Sequence, residues 1–366
     1  MNKFKIPYVN FEKQWLEQKS DLLKIFSRVF QEGNFINGDE VKRLERNLCK
    51  KFNFNDCVAL NSGTDSLVVA MFISGIKKND EVITPPNSFI ASTGAIVHLG
   101  AKPIFADVLD NILMNPKDVE KRITKKTKAI MAVNLSGKIS NIEELSYIAK
   151  RYNLILIEDA AQSIGSKYKS KFSGNWGDLG CFSAHPLKNL NAAGDSGFLV
   201  SKKKIDRARL IRNHGMINRN SIKEFGYVSR MDTLQAAILN YRLKKLSNII
   251  KKRRANAKLY IEQLSDLNIK LPIEDKYESH TYHTFVIQAD NRDKLKNYLF
   301  KNGIETNIHY PISINDQIPS KEKNYNKDTP QSNNQSKRIL SLPIHQYLSK
   351  NDITYVCNKI RKFYKK

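Results

Sequence analysis

The chain has 366 residues, enough for a large core and for two domains. With 41% hydrophobic and 27% charged residues it reads as a soluble globular protein; no apolar stretch approaches a membrane span, and the N-terminus lacks the apolar core of a signal peptide. The net charge of +25 would suit nucleic acid or an acidic membrane, but the basic residues are dispersed in short runs and no nucleic-acid motif accompanies them, so neither partner is expected.

In chain order, Val41, Leu44, Leu48 and Phe52 step by three and four residues, which predicts an amphipathic helix after the turn at Gly38-Asp39. The turn from Asn61 to Thr64 opens a second apolar segment, Leu67 to Ile73. Short apolar runs follow at Glu81 to Thr84, Pro103 to Val108, Ala129 to Leu135 and Leu154 to Asp159. A helical stripe of Ile142, Leu145, Ile148, Ala149 and Tyr152 separates the last two. Runs of this length between helices read as buried parallel strands of a wound α/β domain. Gly180 to Ser183 and Gly197 to Ser201 are two further strand-like pieces.

From Met231 to about Leu264 the pattern is helical and rich in Lys and Arg, and it reads as the bridge between a large domain, 1–240, and a smaller α+β domain, 241–366. Strands are expected at Phe285 to Ile287 and Thr306 to Tyr310, with a helix from Arg292 to Asn302 between them. The polar stretch 315–336 reads as a surface loop or a poorly ordered segment, and a closing helix runs from about Lys350 to Phe363. Cys49, Cys57, Cys181 and Cys357 are scattered, with neither a disulfide framework nor metal-ligand spacing, which suits a reducing cytoplasm and predicts no metal.

Three features carry chemistry. The run through Leu154 ends in Glu158-Asp159-Ala160-Ala161-Gln162; ligands sit beyond the carboxyl ends of parallel strands, so Asp159 is either a site acid or the cap of the next helix. Gly63-Thr64 opens a helix, where backbone N–H groups can cradle a phosphate, although a plain turn has the same sequence. Lys188 follows Ser183 through an irregular turn, Ala184-His185-Pro186-Leu187, with uncharged neighbours and a Gly-containing stretch behind it. A lysine shielded from water loses its charge more readily and can form a Schiff base; most other lysines of this chain read as solvated surface groups.

In order and spacing these blocks resemble the DegT/DnrJ/StrS family of sugar aminotransferases, which are fold-type-I enzymes dependent on pyridoxal 5'-phosphate (PLP). The resemblance spans nearly the whole chain: IPYVNF, NSGTDSL at Asn61 to Leu67, TPPNSFIAS at Thr84 to Ser92, IEDAAQSIGSKY, GCFSAHPLKNL, GYVSRMDTLQAAIL, IETNIHYP and SLPIHQ. It implies a large domain with a mostly parallel sheet and a smaller α+β domain. Position by position, Lys188 matches the Schiff-base lysine and the proton shuttle, and Asp159 the carboxylate that pairs with the pyridinium nitrogen. Gln162 matches the partner of the ring hydroxyl, Phe89 the aromatic stacked on the ring, and Gly63, Thr64 and Ser183 the phosphate cradle.

The resemblance further implies glutamate as amino donor, a keto-sugar acceptor that is nucleotide-linked, and a homodimer in which the segment Tyr227 to Arg230 crosses to the partner. By motif position Lys138, Arg230, His309 and Tyr310 are the expected substrate contacts. Three departures stand out. Val228 occupies the place of an Asn that would reach the phosphate, and valine cannot donate a hydrogen bond; Ser196 replaces a Gly; and Ile312 to Asn315 replaces a PLH-like triplet. Three rival readings are a sugar dehydratase, in which His would stand at Lys188, an aminotransferase for a free acidic keto-sugar, and a basic binding protein without catalysis.

Overall fold

The computed structural model describes residues 4–325 and 328–364. Helix α1 (Phe11–Glu32) starts where the Asn10 side chain accepts from the Lys13 N–H, and ends at Gly33 in the left-handed conformation. It buries only Gln14, Gln18 and Val29, and leaves Trp15, Leu16, Leu23, Phe26 and Phe30 exposed on this chain. Helix α2 (Asp39–Phe52) buries the stripe read from the sequence, Val41, Leu44, Leu48 and Phe52, together with Glu40 and Glu45. Each fully buried apolar side chain in that stripe contributes about 1.5–3 kcal/mol.

Strand β1 (Asp56–Leu60) leads through Ser62, the N-cap of helix α3 (Gly63–Ile73), to β2 (Glu81–Thr84), helix α4 (Ile90–His98) and β3 (Lys102–Phe105). Then come β4 (Thr127–Val133), helix α5 (Ile142–Arg151), β5 (Ile155–Asp159), β6 (Leu179–Ser183) and β7 (Gly197–Ser201). These seven strands form one sheet in the order β1-β7-β6-β5-β4-β2-β3. All neighbours are parallel except at β7, which runs antiparallel to both β1 and β6. The sheet is thus the mostly parallel one expected, with helices on both faces.

Helix α6 (Thr233–Leu264) is 32 residues long. Its first half, with Ala236, Leu239, Leu243 and Leu246, packs on the sheet core, and its second half, with Ala257, Tyr260 and Leu264, packs in a separate C-terminal core. That second core is completed by β8 (Phe285–Gln288), helix α7 (Arg292–Lys301), β9 (Ile339–Leu342) and helix α8 (Lys350–Tyr364), with β8 and β9 antiparallel. Ile6, from the other end of the chain, pairs with Ile304 and is buried in this C-terminal core. Among the described residues no helix is long and apolar enough to cross a membrane.

Two expectations need correction. Thr306 to Tyr310 is not a strand: it makes only an isolated bridge, Asn307 to Ser341, and Tyr310 has a φ of 64°. The polar stretch 315–336, of which residues 326 and 327 lie outside the described residues, is folded into the short helices Ile318–Glu322 and Pro330–Ser336. Several of its polar groups have specific partners. Asp107 accepts from the Gln331 and Ser332 N–H groups at 2.9 Å each, and Gln335 Nε2 donates to the Leu109 carbonyl at 2.8 Å. The stretch lies at the surface as expected, with residues such as Gln317 and Lys321 exposed, but part of its polarity serves these hydrogen bonds.

Candidate active site

A cleft of about 1010 Å³ opens at the carboxyl ends of β5 and β6, where the start of α3, the 184–196 loop and segments of the C-terminal half meet. Asp159 closes β5 and is buried. Its Oδ2 accepts from Ser92 Oγ at 2.6 Å and its Oδ1 from the Ala161 N–H at 3.2 Å. Burial raises its pKa, against the lowering effects of Ser92, Ala161 and the Lys188 charge. The cap alternative has weak support: Ala161 is two residues on, and no helix starts there.

Next to Asp159, the adjoining Glu158 explains the local architecture. It is fully buried and accepts from Asn134 Nδ2 and from the Gly174, Trp176 and Gly177 N–H groups, so it fixes the turn that returns the chain into β6.

Lys188 comes off a turn closed by its own N–H to the His185 carbonyl at 2.8 Å. The loop is held by Ala184 N–H to the Ser196 carbonyl, Ala192 N–H to the Ala184 carbonyl, and Asn189 Nδ2 to the Thr281 carbonyl. The Lys188 ammonium lines the cleft without a hydrogen bond or ion pair to any described residue. Burial lowers its pKa to about 8, opposed by the Asp159 charge.

Gly63 and Thr64 bring the first turn of α3 to the cleft. A Cβ on Gly63 would lie 2.6 Å from Ser183 Cβ, and one on Gly197 only 2.3 Å from the Ser62 carbonyl oxygen, so both glycines permit backbone approaches no other residue allows. Gln162 accepts from the Ser136 N–H at 2.7 Å and donates to Tyr310 Oη at 3.0 Å. Phe89 stands at the mouth, 59% exposed. His309 Nδ1 meets Ser341 Oγ at 2.8 Å, and burial, with the Lys188 charge adding to it, lowers its pKa to about 4.

Lys188, Asp159, Gly63, Thr64, Phe89, Gln162, Ser183, His309 and Tyr310 therefore converge on one cleft. Two of the residues read from the sequence do not join them. Lys138 Nζ pairs with Glu278 at 3.0 Å and reaches the Ile273 carbonyl, outside the cleft lining. Arg230 donates to Asn213 Oδ1 at 3.2 Å, beside Val228, which bridges to the same residue; neither lines the cleft of its own chain. Among the described residues no group of His, Cys, Asp and Glu is arranged to hold a metal ion.

Sequence reasoning missed several lining residues. Tyr8, Asn10 and Gln14 arrive because the Tyr8 N–H donates to Glu305 Oε2 at 2.7 Å and anchors the N-terminal segment over the cleft. Arg253 lies in the basic run 251–254, which reads as solvated, yet it shares a helical face with Ala257, Tyr260 and Leu264, and that period could have singled it out.

The DegT/DnrJ/EryC1/StrS aminotransferase family matches residues 17–361. Over 369 residues the chain is 34% identical to the pleiotropic regulatory protein of Geobacillus stearothermophilus, covering 98% of this chain and 99% of that one. It is also 34% identical over 360 residues to the UDP-N-acetyl-3-dehydro-alpha-D-glucosamine 3-aminotransferase of Acidithiobacillus ferrooxidans, covering 98% and 97%. The S. venezuelae DesV structure, in complex with a ketimine intermediate, superposes with a TM-score of 0.96 at 30% identity, covering 100% of both chains.

Proposed function

The chain belongs to the DegT/DnrJ/EryC1/StrS aminotransferase family, and on that premise we propose that it transfers an amino group from glutamate to a nucleotide-linked keto-sugar, with Lys188 as the residue that carries PLP. The protein is a PLP-dependent sugar aminotransferase. The observation that carries the reading is the meeting in one cleft of a half-buried lysine with no protein partner, on the loop after β6, and a buried carboxylate at the end of β5 held by Ser92 and Ala161.

The residues present fit the cofactor. Lys188 Nζ is free to bond to an aldehyde carbon, and the absence of a Cβ at Gly63 lets Ser183 pack against the start of α3, so that the α3 N–H groups and the Ser183 hydroxyl share the cleft. Bound there, PLP supplies an electron sink for charge at the amino-bearing carbon. Asp159 would hold a proton on the ring nitrogen, and Ser92 and Ala161 fix the carboxylate for that contact. The N–H groups of Gly63 and Thr64, with the Ser183 hydroxyl, would bind the phosphate at the positive end of α3. Gln162, set by Ser136, would donate to the ring hydroxyl, and Phe89 would cover the ring face. Lys188 Nζ would take the proton from the donor's α-carbon and return it to the carbon on the other side of the amino nitrogen; a pKa near 8 keeps a useful fraction unprotonated at neutral pH.

His309 and Tyr310 are proposed as acceptor contacts of the same chain. Lys138 is not retained in that role, because Glu278 holds its ammonium. Arg230 and Val228 lie outside their own chain's cleft, and the flanking Ile217, Ile222 and Phe225 are exposed. These placements support a homodimer in which Tyr227 to Arg230 completes the partner's site, with exposed apolar residues of α1 as further contact surface. A cytoplasmic place in surface-glycan or lipopolysaccharide amino-sugar synthesis follows from this substrate class.

The test is to offer glutamate with keto-hexoses linked to UDP, GDP or dTDP, beside an unlinked acidic keto-sugar, and to follow products by mass spectrometry. Amination of at least one nucleotide-linked sugar is expected. Turnover of the unlinked sugar alone would overturn the substrate assignment and leave the transaminase chemistry in place.

A further inference from the structure

The guanidinium of Arg253, on the second half of α6, forms part of the cleft wall while being only 8% exposed. Its Nη1 donates to the Tyr282 and His283 carbonyls at 3.0 and 3.1 Å. Its Nε is buried with no partner. Among the described residues no carboxylate lies within ion-pair distance, although Asp159, Asp195 and Glu305 all line the same cleft. Burial lowers the Arg253 pKa to about 10, which still leaves it charged at neutral pH.

Arg242, another buried arginine of this helix, shows the contrast. Its Nε reaches Gln18 Oε1 at 2.9 Å, its Nη1 reaches two carbonyls, and it does not line the cleft. Beside Arg253, His283 has a buried Nδ1 without a partner. Burial holds His283 neutral, and the charges of Lys188 and Arg253 both act on it, so it sits close to each of them. The cleft therefore presents two cations near a neutral imidazole and no anion paired to either. A buried cation without a counter-ion is costly, and a planar fork with free donors matches a carboxylate.

We propose that Arg253 anchors a carboxylate of the amino donor, and of the 2-oxo acid the donor becomes, while the amino carbon faces Lys188. The proposal rests on the transaminase reading above for which molecule brings the carboxylate. A purely structural Arg253 would only tie α6 to the 281–284 segment through the two carbonyls.

The experiment compares holoenzyme with its Arg253→Gln and Arg253→Lys variants. Binding of glutarate and of 2-oxoglutarate is measured by calorimetry, and the first half-reaction is timed with glutamate and with propylamine, which lacks a carboxylate. Arg253→Gln should weaken both dicarboxylates by about 30-fold or more, as removal of one partner of a buried charge pair does. Arg253→Lys, which keeps the charge and loses the fork, should recover part of that. Cofactor absorbance and the slow propylamine reaction should be unchanged. Unaltered glutarate affinity, or equal losses with glutamate and propylamine, would overturn the proposal. So would a defect confined to the sugar half-reaction, which would assign the anchor to an acidic acceptor. If Arg253→Gln fails to fold, the Lys variant decides alone: full glutarate affinity there would reject a need for the fork. Failure of the wild type to take up PLP would count against the transaminase reading, whereas glutarate binding would still judge Arg253.

Discussion

Two regions of this protein withdraw cations from bulk water and treat them in opposite ways. Around β1, Arg209 Nη2 lies 2.6 Å from Asp56 Oδ1, and Arg212 Nη1 lies 2.6 Å from Glu45 Oε1. Glu45 also accepts the Ala59 N–H, and Arg212 donates to the Ala59 carbonyl, so the pair is stitched into the edge of the sheet. Lys138 with Glu278 follows the same rule. In the cleft, Lys188 and Arg253 have no carboxylate within ion-pair distance. Around β1 the chain supplies a counter-ion for each cation, and the buried Arg242 is held instead by Gln18 and the Asn191 and Ala192 carbonyls. In the cleft neither solution is complete at Arg253, whose Nε has no partner, and an anionic ligand would meet that deficit.

The largest effect should come from removing the cleft lysine. Lys188→Ala should abolish transamination and the visible absorbance of the bound cofactor while leaving the melting temperature close to that of the cofactor-free wild type; undiminished turnover would refute the assignment. On the paired side, Arg212→Ala should behave conversely. It strands Glu45 with one backbone donor and should cost about 2–3 kcal/mol in chemical denaturation, since the pair is mostly buried, with cofactor absorbance retained in the folded fraction. A loss below about 0.5 kcal/mol would place that pair among ordinary surface ion pairs and blunt the contrast.

The smallest effect is a pH signature. With a pKa of about 8, Lys188 in cofactor-free protein should capture added PLP about threefold faster at pH 8.5 than at pH 7.5, and level off above. A lysine at its ordinary pKa would gain about tenfold over that unit and keep climbing past pH 10. Stopped-flow absorbance separates the two. The same depression has a stability consequence of definite sign. Between pH 8 and about 10.5 the unfolded chain binds the extra proton, so the penalty of burying this lysine is fully present below pH 8 and is relieved as pH rises through that window.

Much of this was legible before the structure, and the exceptions share a cause. The strands Glu81–Thr84 and Gly197–Ser201 match their apolar runs residue for residue, and the helix Asp39–Phe52 buries the expected stripe while starting at Asp39, inside the expected turn, because burial there follows local period. Asp159, Gly63 and Lys188 could be placed because a strand end, a helix start and an uncharged turn are local signals. Helix α1 escaped because it buries two glutamines and a valine, and leaves its large apolar residues exposed, so no inward stripe marks it. The stretch 315–336 differs from its expectation because its groups bond to distant partners, the Gln331 and Ser332 N–H groups to Asp107 and the Gln335 side chain to the Leu109 carbonyl. The pairing of Lys138 is not legible for the same reason: Glu278 is 140 positions away in sequence, and no local pattern announces it.

Helix α6 gives the two halves of the molecule a common backbone. At 32 residues it is about 48 Å long, and the same unbroken ladder of hydrogen bonds supports Leu246 in the sheet core and Ala257 in the C-terminal core. Neither half can be excised at the middle of this helix without fraying the other, and loss of either core removes the packing that keeps the shared helix wound. The halves are therefore yoked thermodynamically: they should melt in one transition, and neither is an independent module that recombination could trade intact.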